Sequence, residues 1–504
     1  MKIYKINEKY LSKYLDLLNQ IYIPNDKELV FKEILVFNEL NDNINIVTSH
    51  QPNLLYPGTF IKLIHLFKSN LNKKLFIFND SDKFNINLLN KTIELDLPYE
   101  TISTDYLKNF IYILINQLKE ININFKNFFS KTDFSNNIFY FIDLLSSIDL
   151  RKSEIFKFSD FIYFIINKYF EFFNKKINDI DFKLVSDISK TNEFQKIFYD
   201  YLKNYKDLNN LYNEAVEILY LNNIKTVRKI EIDELPFWII NSQGFRKTLH
   251  VDNYNRVFYI KDNEKKYLDI KEESVLNLIR SKAVLWAIFR RIYFSNIDVL
   301  GIGSVYYTFI SDYLIFNYYL NYIRKPKILK SEIITITLYP FNYNEITNLG
   351  YLLDNFLSIL NGFISALNYN IENLSKIFEK LKNYLELFPN FLSQEFNDIY
   401  NKIYNAIQLI NNKIDKELIN HKQFLIKEIS NPNNRKIKKE LTKELEKINQ
   451  LIKEKINPDI SYLKDLILEL NNKVLFYKDI INQISTRYWP FFIFNLDDYL
   501  NHLK

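Results

Sequence analysis

An imidazole, two carboxylates and a lysine stand near the start of the chain at spacings that suit one reaction centre. The segment Val47-Thr48-Ser49-His50-Gln51-Pro52-Asn53-Leu54-Leu55-Tyr56-Pro57-Gly58-Thr59-Phe60-Ile61-Lys62 holds one of the five histidines and two of the eleven prolines, a costly concentration for a mere connection. His50, with an ordinary pKa of about 6.5, can act as general acid or base or donate to a phosphate oxygen. Ser49 and Gln51 flank it. Lys62 can neutralise a polyphosphate or a carboxylate, with Arg246, Arg280, Lys282, Arg290 and Arg291 as reinforcements. Asp80 and Asp82 follow an apolar run and, two apart, share one side if extended; there they can hold Mg²⁺ or a substrate ammonium or hydroxyl group. The competing roles are structural: a surface loop for His50 and a helix cap for Asp82. Neither a Ser–His–Asp arrangement, a P-loop nor a His-Glu-x-x-His motif occurs, so hydrolase and ATPase readings by motif fail.

The elements that must position these groups are a strand, a loop and a helix. Ile44 to Val47 alternates as a strand, polar residues with Pro and Gly follow, and Phe60 to Phe67 is helical in spacing. The apolar run Lys74-Leu75-Phe76-Ile77-Phe78 suits a strand buried on both faces, as in a parallel sheet. Together they predict a βαβ unit, whose right-handed crossover puts His50 and Asp80 at one crevice beside a helix start, where an anion is favoured. Thr48, Asn53 and Gly58 belong to the same junction as candidate ligand contacts. A second junction of this kind is Ile297-Asp298-Val299-Leu300-Gly301-Ile302-Gly303-Ser304-Val305-Tyr306-Tyr307. It carries two of only six glycines, so Gly301 and Gly303 predict either positive φ or close approach of a ligand, with tight helix–strand packing as the alternative. Ser304 and Tyr307 join the candidates. The dinucleotide fingerprint is incomplete, because its third glycine is missing.

Along the rest of the chain, Leu11, Leu15 and Leu18 have helical spacing and Thr92 to Leu97 alternates as a strand. Residues 106–220 read as an aromatic helical insertion, interrupted by a strand at Phe182 to Ser186. Short strands follow from Lys229 to Ile260, among them Leu235 to Ile240 with the basic turn Gly244 to Lys247, and Arg280 to Ala283 opens a helix. Glu332 to Leu338 is a strand ended by Pro340. Beyond residue 343 the pattern is long-helical: Ile403, Ile407, Ile410, Ile414, Leu418, His421 and Leu425 form a coiled-coil seam, resumed by Ile437, Leu441, Leu445, Ile448, Ile452 and Ile456. The break at 430–434 predicts the tip of an antiparallel hairpin with His421 in its core, and the aromatic stretch from residue 485 predicts a return to the globular body. This divides the chain into 1–342, 343–484 and 485–504.

Composition bounds the function. An apolar fraction of 47 % with 25 % charged residues is that of a globular protein, and the high Asn, Ile, Lys, Phe and Tyr content reads as the stamp of an AT-rich genome. A net charge of +6, with Lys and Glu interspersed, argues against a nucleic-acid surface. Zero cysteines exclude disulfides, a thiolate nucleophile and Cys-ligated metal in this chain. The first residues lack the apolar core of a signal peptide and no run reaches the roughly 18 apolar residues of a membrane span, so a cytoplasmic address without membrane association is expected.

These residues resemble the bacillithiol biosynthesis cysteine-adding enzyme family. The family has a strand followed by Thr-Gly-Gln-Gln-x-x-Leu-Phe-x-Gly-Pro, where this chain has Thr48, Ser49, His50, Gln51, Leu54, Leu55, Pro57 and Gly58. A strand ending in an acidic motif is matched by Asn79-Asp80-Ser81-Asp82, a glycine turn by Gly301-Ile302-Gly303-Ser304, and the coiled coil and aromatic tail follow in the same order, the tail as Arg487-Tyr488-Trp489-Pro490-Phe491. Uncharacterised relatives with Thr-Gly-His-Gln, His-Pro-Gly and a helix lysine matching Lys62 are more similar still. His50 replaces a Gln of the family, Ser49 a Gly and Ser304 a further Gly, and the acidic motif lacks its histidine. The resemblance implies an α/β fold with a Rossmann-like, nucleotidyltransferase-type core carrying a helical insertion, and a C-terminal antiparallel coiled coil that makes a homodimer. It implies a ligase that joins an activated amino-acid carboxylate to an amine of a sugar-type acceptor, with ATP or another nucleotide and Mg²⁺ as candidate cofactors. Ser49, His50 and Gln51 would line the centre, Lys62 would meet the activating phosphate, and Asp80 with Asp82 would hold the amine or a metal. The alternatives are a nucleotidyltransferase-like protein acting on another small substrate, and a non-catalytic ligand-binding assembly protein that uses its coiled coil.

Overall fold

The structure, a computed structural model, describes residues 29–35, 45–52, 56–82, 86–88, 91–93, 100, 102–125, 128, 133–148, 157–224, 226–319, 330–336, 338, 343–369, 374–413, 416–431, 437–485 and 489–503. The expectations for Leu11 to Leu18 and for Asn53 fall outside them. The chain divides into two compact units, Met1–Phe341 with Thr486–Lys504, and Asn342–Ser485.

Apolar runs of the first unit build a six-stranded sheet. Its strands are β1 (Leu29–Leu35), β2 (Asn45–His50), β3 (Lys73–Phe78), β6 (Ile180–Leu184), β12 (Ile297–Leu300) and β13 (Lys330–Ile336), in the order β1-β13-β12-β2-β3-β6. All neighbours are parallel except β1, which lies antiparallel on β13 at the edge. Helix α1 (Pro57–Lys68) joins β2 to β3 and starts with proline in its first turn, where the missing N–H costs nothing. From β2 the chain moves to β3 and β6 on one side, and later to β12 and β13 on the other. The strand order therefore reverses between β2 and β12, the place where open α/β sheets form a crevice at the carboxyl ends of their strands.

Between β3 and β6 lie a short hairpin, β4 (Ile86–Leu88) with β5 (Lys91–Ile93), and the helices α2 (Thr104–Phe125), α3 (Asp133–Ser147) and α4 (Phe158–Phe172). Of the strand expected over Thr92 to Leu97, the first two residues lie in β5 and the others lie outside the described residues. After β6 come α5 (Val185–Ile188), α6 (Asn192–Lys203) and α7 (Tyr205–Leu221). A second sheet is antiparallel, ordered β10-β9-β8-β7-β11 from β7 (Glu234–Ile240), β8 (Arg246–Val251), β9 (Val257–Lys261), β10 (Glu264–Tyr267) and β11 (Ile279–Ser281), with the short helix α8 (Glu273–Leu276) before β11. Arg280 and Ser281 thus pair with β7 as a strand, and the helix expected from Arg280 starts only at α9 (Ala283–Tyr293). Helix α10 (Ile302–Asn317) follows β12.

One hydrophobic core joins the two sheets. Val47, Ile77, Leu300 and Ile333 of the parallel sheet and Leu235, Phe237 and Leu249 of the antiparallel one pack with Phe194, Leu208, Leu285 and Ile310 from α6, α7, α9 and α10. A separate aromatic cluster holds the C-terminal segment: Phe491 stacks on Phe60 of α1 at 4.0 Å between ring centroids, Phe492 stacks on Phe141 at 4.4 Å, and Tyr169 donates to the Phe494 carbonyl. The last helix, α16, is Leu496–Leu500.

The second unit is helical: α11 (Tyr343–Tyr369), α12 (Leu374–Leu385), α13 (Asn390–Lys413), α14 (Lys416–Ser430) and α15 (Lys438–Ile484). Lys473 pairs with Glu395, Lys413 with Asp459 and His421 with Glu444, so α13 and α14 run antiparallel to α15 in one continuous register. Ile448, Ile452, Ile456, Ile460, Leu463 and Ile467 line the buried side of α15. His421 corrects the seam reading: its imidazole is exposed and bonds Glu444 at 3.0 Å, because the register turns position 421 outward while Leu425 takes the buried place. Among the described residues, no helix is long and apolar enough to cross a membrane.

Candidate functional site

The site is built where the carboxyl ends of β2 and β3 meet the antiparallel sheet. Thr48 is buried and donates to the Val299 carbonyl (2.7 Å), which ties β2 to β12. Ser49 accepts from the Trp286 indole through its hydroxyl (3.0 Å) and from Lys62 Nζ through its carbonyl (3.1 Å). His50 is half-buried, with Nδ1 3.0 Å from the Gln51 carbonyl. Gln51 reaches across to β3 and donates through Nε2 to Asp82 Oδ2 (2.9 Å), and Asn79 donates to the same oxygen (3.2 Å).

Asp82 is the hub. Its other oxygen forms an ion pair with Arg246, which leaves the turn at Gly244 and enters β8. Gly244 has φ 80°, a conformation that suits glycine, so the turn that aims Arg246 depends on that residue type. The Arg246 guanidinium lies 4.9 Å from the Trp238 ring centroid, and the Lys282 ammonium lies 4.3 Å from it. Lys282 also pairs with Glu234, whose buried carboxylate takes two hydrogen bonds from Arg228. Burial pushes the Glu234 carboxyl up, but Lys282 and Arg228 outweigh it and hold it below the usual range. Burial likewise lowers Lys282, against the pull of Glu234. These groups surround a cleft of about 280 Å³ lined by Asn79, Asp82, Arg228, Glu234, Trp238, Arg246, Ser281 and Lys282, among others. Three cations face two carboxylates there, so the lining carries a positive surplus. Ser281 is buried and its hydroxyl finds no hydrogen-bond partner among the described residues.

The two acids separate. Strand β3 ends at Phe78 and residues 80 and 81 turn, so the two-residue alternation that would align Asp80 with Asp82 stops before it reaches them. Asp80 is 1 % exposed and points inward, accepting from the Ser186 N–H (2.9 Å) and hydroxyl in the first turn of α5. The capping role considered for Asp82 therefore falls to Asp80. Burial, reinforced by the Glu100 carboxylate and opposed by Ser186 and Arg280, pushes the Asp80 carboxyl up to about 6.

Of the remaining candidates, Arg280 is buried and bonds Glu100 through two nitrogens (3.1 and 2.8 Å), and donates to the Asn277 and Ile279 carbonyls. Arg290 and Arg291 are buried against Asp298, with Asp312 beside Arg291. Lys62, 3 % exposed, is lowered to about 7, chiefly by burial and then by Arg290, against the pull of Asp298. Neither Lys62 nor His50 is among the residues that line the cleft. Gly58 lies in the first turn of α1. Gly301 caps α10 with φ −87°, and a Cβ at Gly301 or Gly303 would meet nothing within 4 Å. Neither positive φ nor tight packing therefore accounts for them; they leave room at a helix start. Ser304 donates to the Gly301 carbonyl (2.7 Å) and also bonds Tyr307, whose hydroxyl is raised mainly by burial and feels Arg290 and Asp82.

The structure thus gathers Gln51, Asp82, Arg246 and Lys282, places Tyr307 near them, and sets Asp80, Arg280 and Lys62 in the interior. Trp238, Glu234 and Arg228 were not among the sequence candidates. The signal for Trp238 was its strand just before the basic turn, but in a chain with 16 % aromatic residues one ring carries little weight. In comparisons with known proteins, the chain matches no family model and no curated protein.

Proposed function

We propose that the first unit is a Rossmann-like small-molecule enzyme and that the cleft receives its anionic substrate. One observation carries this reading: Asp82, held by Gln51 beyond the carboxyl end of β3, and Arg246, Trp238 and Lys282 from the antiparallel side converge on a single cleft with surplus positive charge. Arg246 and Lys282 suit a carboxylate or phosphate, Asp82 suits an amine, and the Ser281 hydroxyl offers a hydrogen bond.

The reaction favoured by the family resemblance is carbon–nitrogen ligation. A carboxylate activated by ATP is attacked at its carbonyl carbon by the amine of a sugar-type acceptor. The C–N bond forms, phosphate or AMP leaves with the electron pair of the broken C–O bond, and the surplus amine proton passes to a base. A cleft of about 280 Å³ suits an amino acid or amino sugar. The helical arms of the second unit would form a coiled coil that joins two copies, which light scattering of the full chain checks. A second reading, ligand binding without turnover, is favoured by the burial of Asp80 and Lys62 away from the cleft.

The test is a thermal-shift screen of amino acids, amino sugars and nucleotides with Mg²⁺, followed by ³¹P detection of phosphate or AMP release with the ligands that bind. A ligand at a hundred times its Kd adds about 2.7 kcal/mol of apparent stability. Stabilisation with nucleotide cleavage supports the ligase, stabilisation without cleavage supports the binding protein, and no stabilisation by any class overturns both.

A further inference from the structure

A second constellation lies outside the cleft, in the turn that feeds β7. Glu231, Asp233 and His250 each present one ligand-type atom, and these atoms lie within 4.8 Å of one another. The turn is clamped from outside: Asn209 Nδ2 donates to the carbonyls of Glu231 (3.2 Å) and Glu234 (2.9 Å), and Asn213 exchanges hydrogen bonds with Ile230 (2.9 Å each way). The Val251 N–H holds the Asp233 carbonyl at 2.8 Å, and the strand register sets His250 opposite Glu234. The His250 ring stacks on Phe258, with centroids 5.5 Å apart, so its orientation is held as well.

The decisive atom is His250 Nδ1. It is buried, finds no hydrogen-bond partner among the described residues, and lies 3.7 Å from Asp233 Oδ2. That is too long for a hydrogen bond. It is close to the separation of two ligands on one ion, about 3.4 Å for a tetrahedral sphere with bonds of about 2.1 Å. When Nδ1 carries no proton, its lone pair and the carboxylate repel each other, and a shared cation turns that repulsion into attraction for both.

We propose that Glu231, Asp233 and His250 bind one divalent transition-metal ion of the Zn²⁺ type. An imidazole nitrogen with two carboxylates favours such an ion over Mg²⁺ or Ca²⁺, which prefer oxygen alone. Glu231, the exposed member, leaves the remaining coordination positions open to water. The ion would lock the turn to β8 and so fix Glu234, the next residue, which faces the cleft. The proposal does not depend on the ligase reading.

The test uses the untagged full chain, stripped with EDTA and titrated with Zn²⁺ by calorimetry and with Co²⁺ by visible absorption. The expected result is one saturable site per chain, weakened at least about tenfold in both His250→Ala and Asp233→Asn, with a matching loss of the Co²⁺ spectrum. Fluorescence-monitored unfolding of the metal-free variants checks that each folds. Glu231→Gln, an exposed change, carries the test alone if either of the others does not. Absence of a saturable site, or Zn²⁺ affinity unchanged in the folded variants, overturns the proposal.

Discussion

Replacing Lys62 by Met probes the ground beneath the site. Lys62 is 3 % exposed, donates to the Ser49 carbonyl and has its pKa lowered to about 7, against 10.5 for the free side chain. Between these two values the unfolded chain binds more protons than the folded one, so stability rises with pH. This group's contribution is complete above the unfolded pKa and is lost as pH falls through the folded pKa. At roughly 1.4 kcal/mol per pH unit, and with the folded side chain half neutral at pH 7, burial of this lysine costs about 4 kcal/mol at that pH relative to a group that carries no charge. Lys62→Met removes that cost and forfeits the hydrogen bond to Ser49, about 1 kcal/mol. The variant should therefore be more stable by about 3 kcal/mol at pH 7, and the two pH–stability curves should converge near pH 10. All three tryptophans, Trp238, Trp286 and Trp489, lie in the first unit, so urea unfolding followed by tryptophan fluorescence reads that unit alone. Parallel curves from pH 7 to pH 10 would refute the reasoning.

Asp80 behaves in the opposite sense. Its carboxyl is raised to about 6 from 3.8, so the folded chain holds the proton longer. Stability from this group is full below the unfolded pKa and declines by about 3 kcal/mol as pH rises through the folded one. Asp80→Asn retains an acceptor for the Ser186 N–H and should flatten that decline in urea midpoints measured from pH 4 to pH 7. Phe491→Ala should cost about 3 to 5 kcal/mol in the same fluorescence assay, because the ring is wholly buried against Phe60. Gly303→Ala, in the first turn of α10 with open space at its Cβ, should leave the melting temperature unchanged or raise stability by up to about 1 kcal/mol, whereas a glycine required by the backbone would make the variant less stable.

The βαβ core was legible because continuous apolar runs such as Leu75 to Phe78, separated by one amphipathic helix, leave few other arrangements. What failed to transfer was direction beyond a strand end. The spacing of Asp80 and Asp82 implies a shared side only while the chain stays extended, and a turn at residues 80 and 81 sends one carboxylate into the interior. Arg280 looked like a cleft cation because nothing local reveals Glu100, 180 residues away in sequence, which takes its Nε and Nη2. His421 fitted a heptad count, yet the pairing with Glu444 sets the helix rotation and leaves it in water. The cleft itself was half legible: Asp82, Arg246 and Lys282, which line it, stood out by charge and turn position. Trp238 joined its lining only through the pairing of β7 with β8 and β11, which brings Arg246 and Lys282 to either side of that strand.

The central claim is that the cleft holds an anionic small molecule through Arg246. Its most direct measurement is calorimetric titration of the wild-type chain and of Arg246→Ala with the ligand that most stabilises the protein in the thermal-shift screen. Loss of a charge-assisted hydrogen bond should weaken binding about tenfold to a hundredfold in the variant, with little change in the unfolding midpoint. Equal affinity in the two proteins would contradict the account.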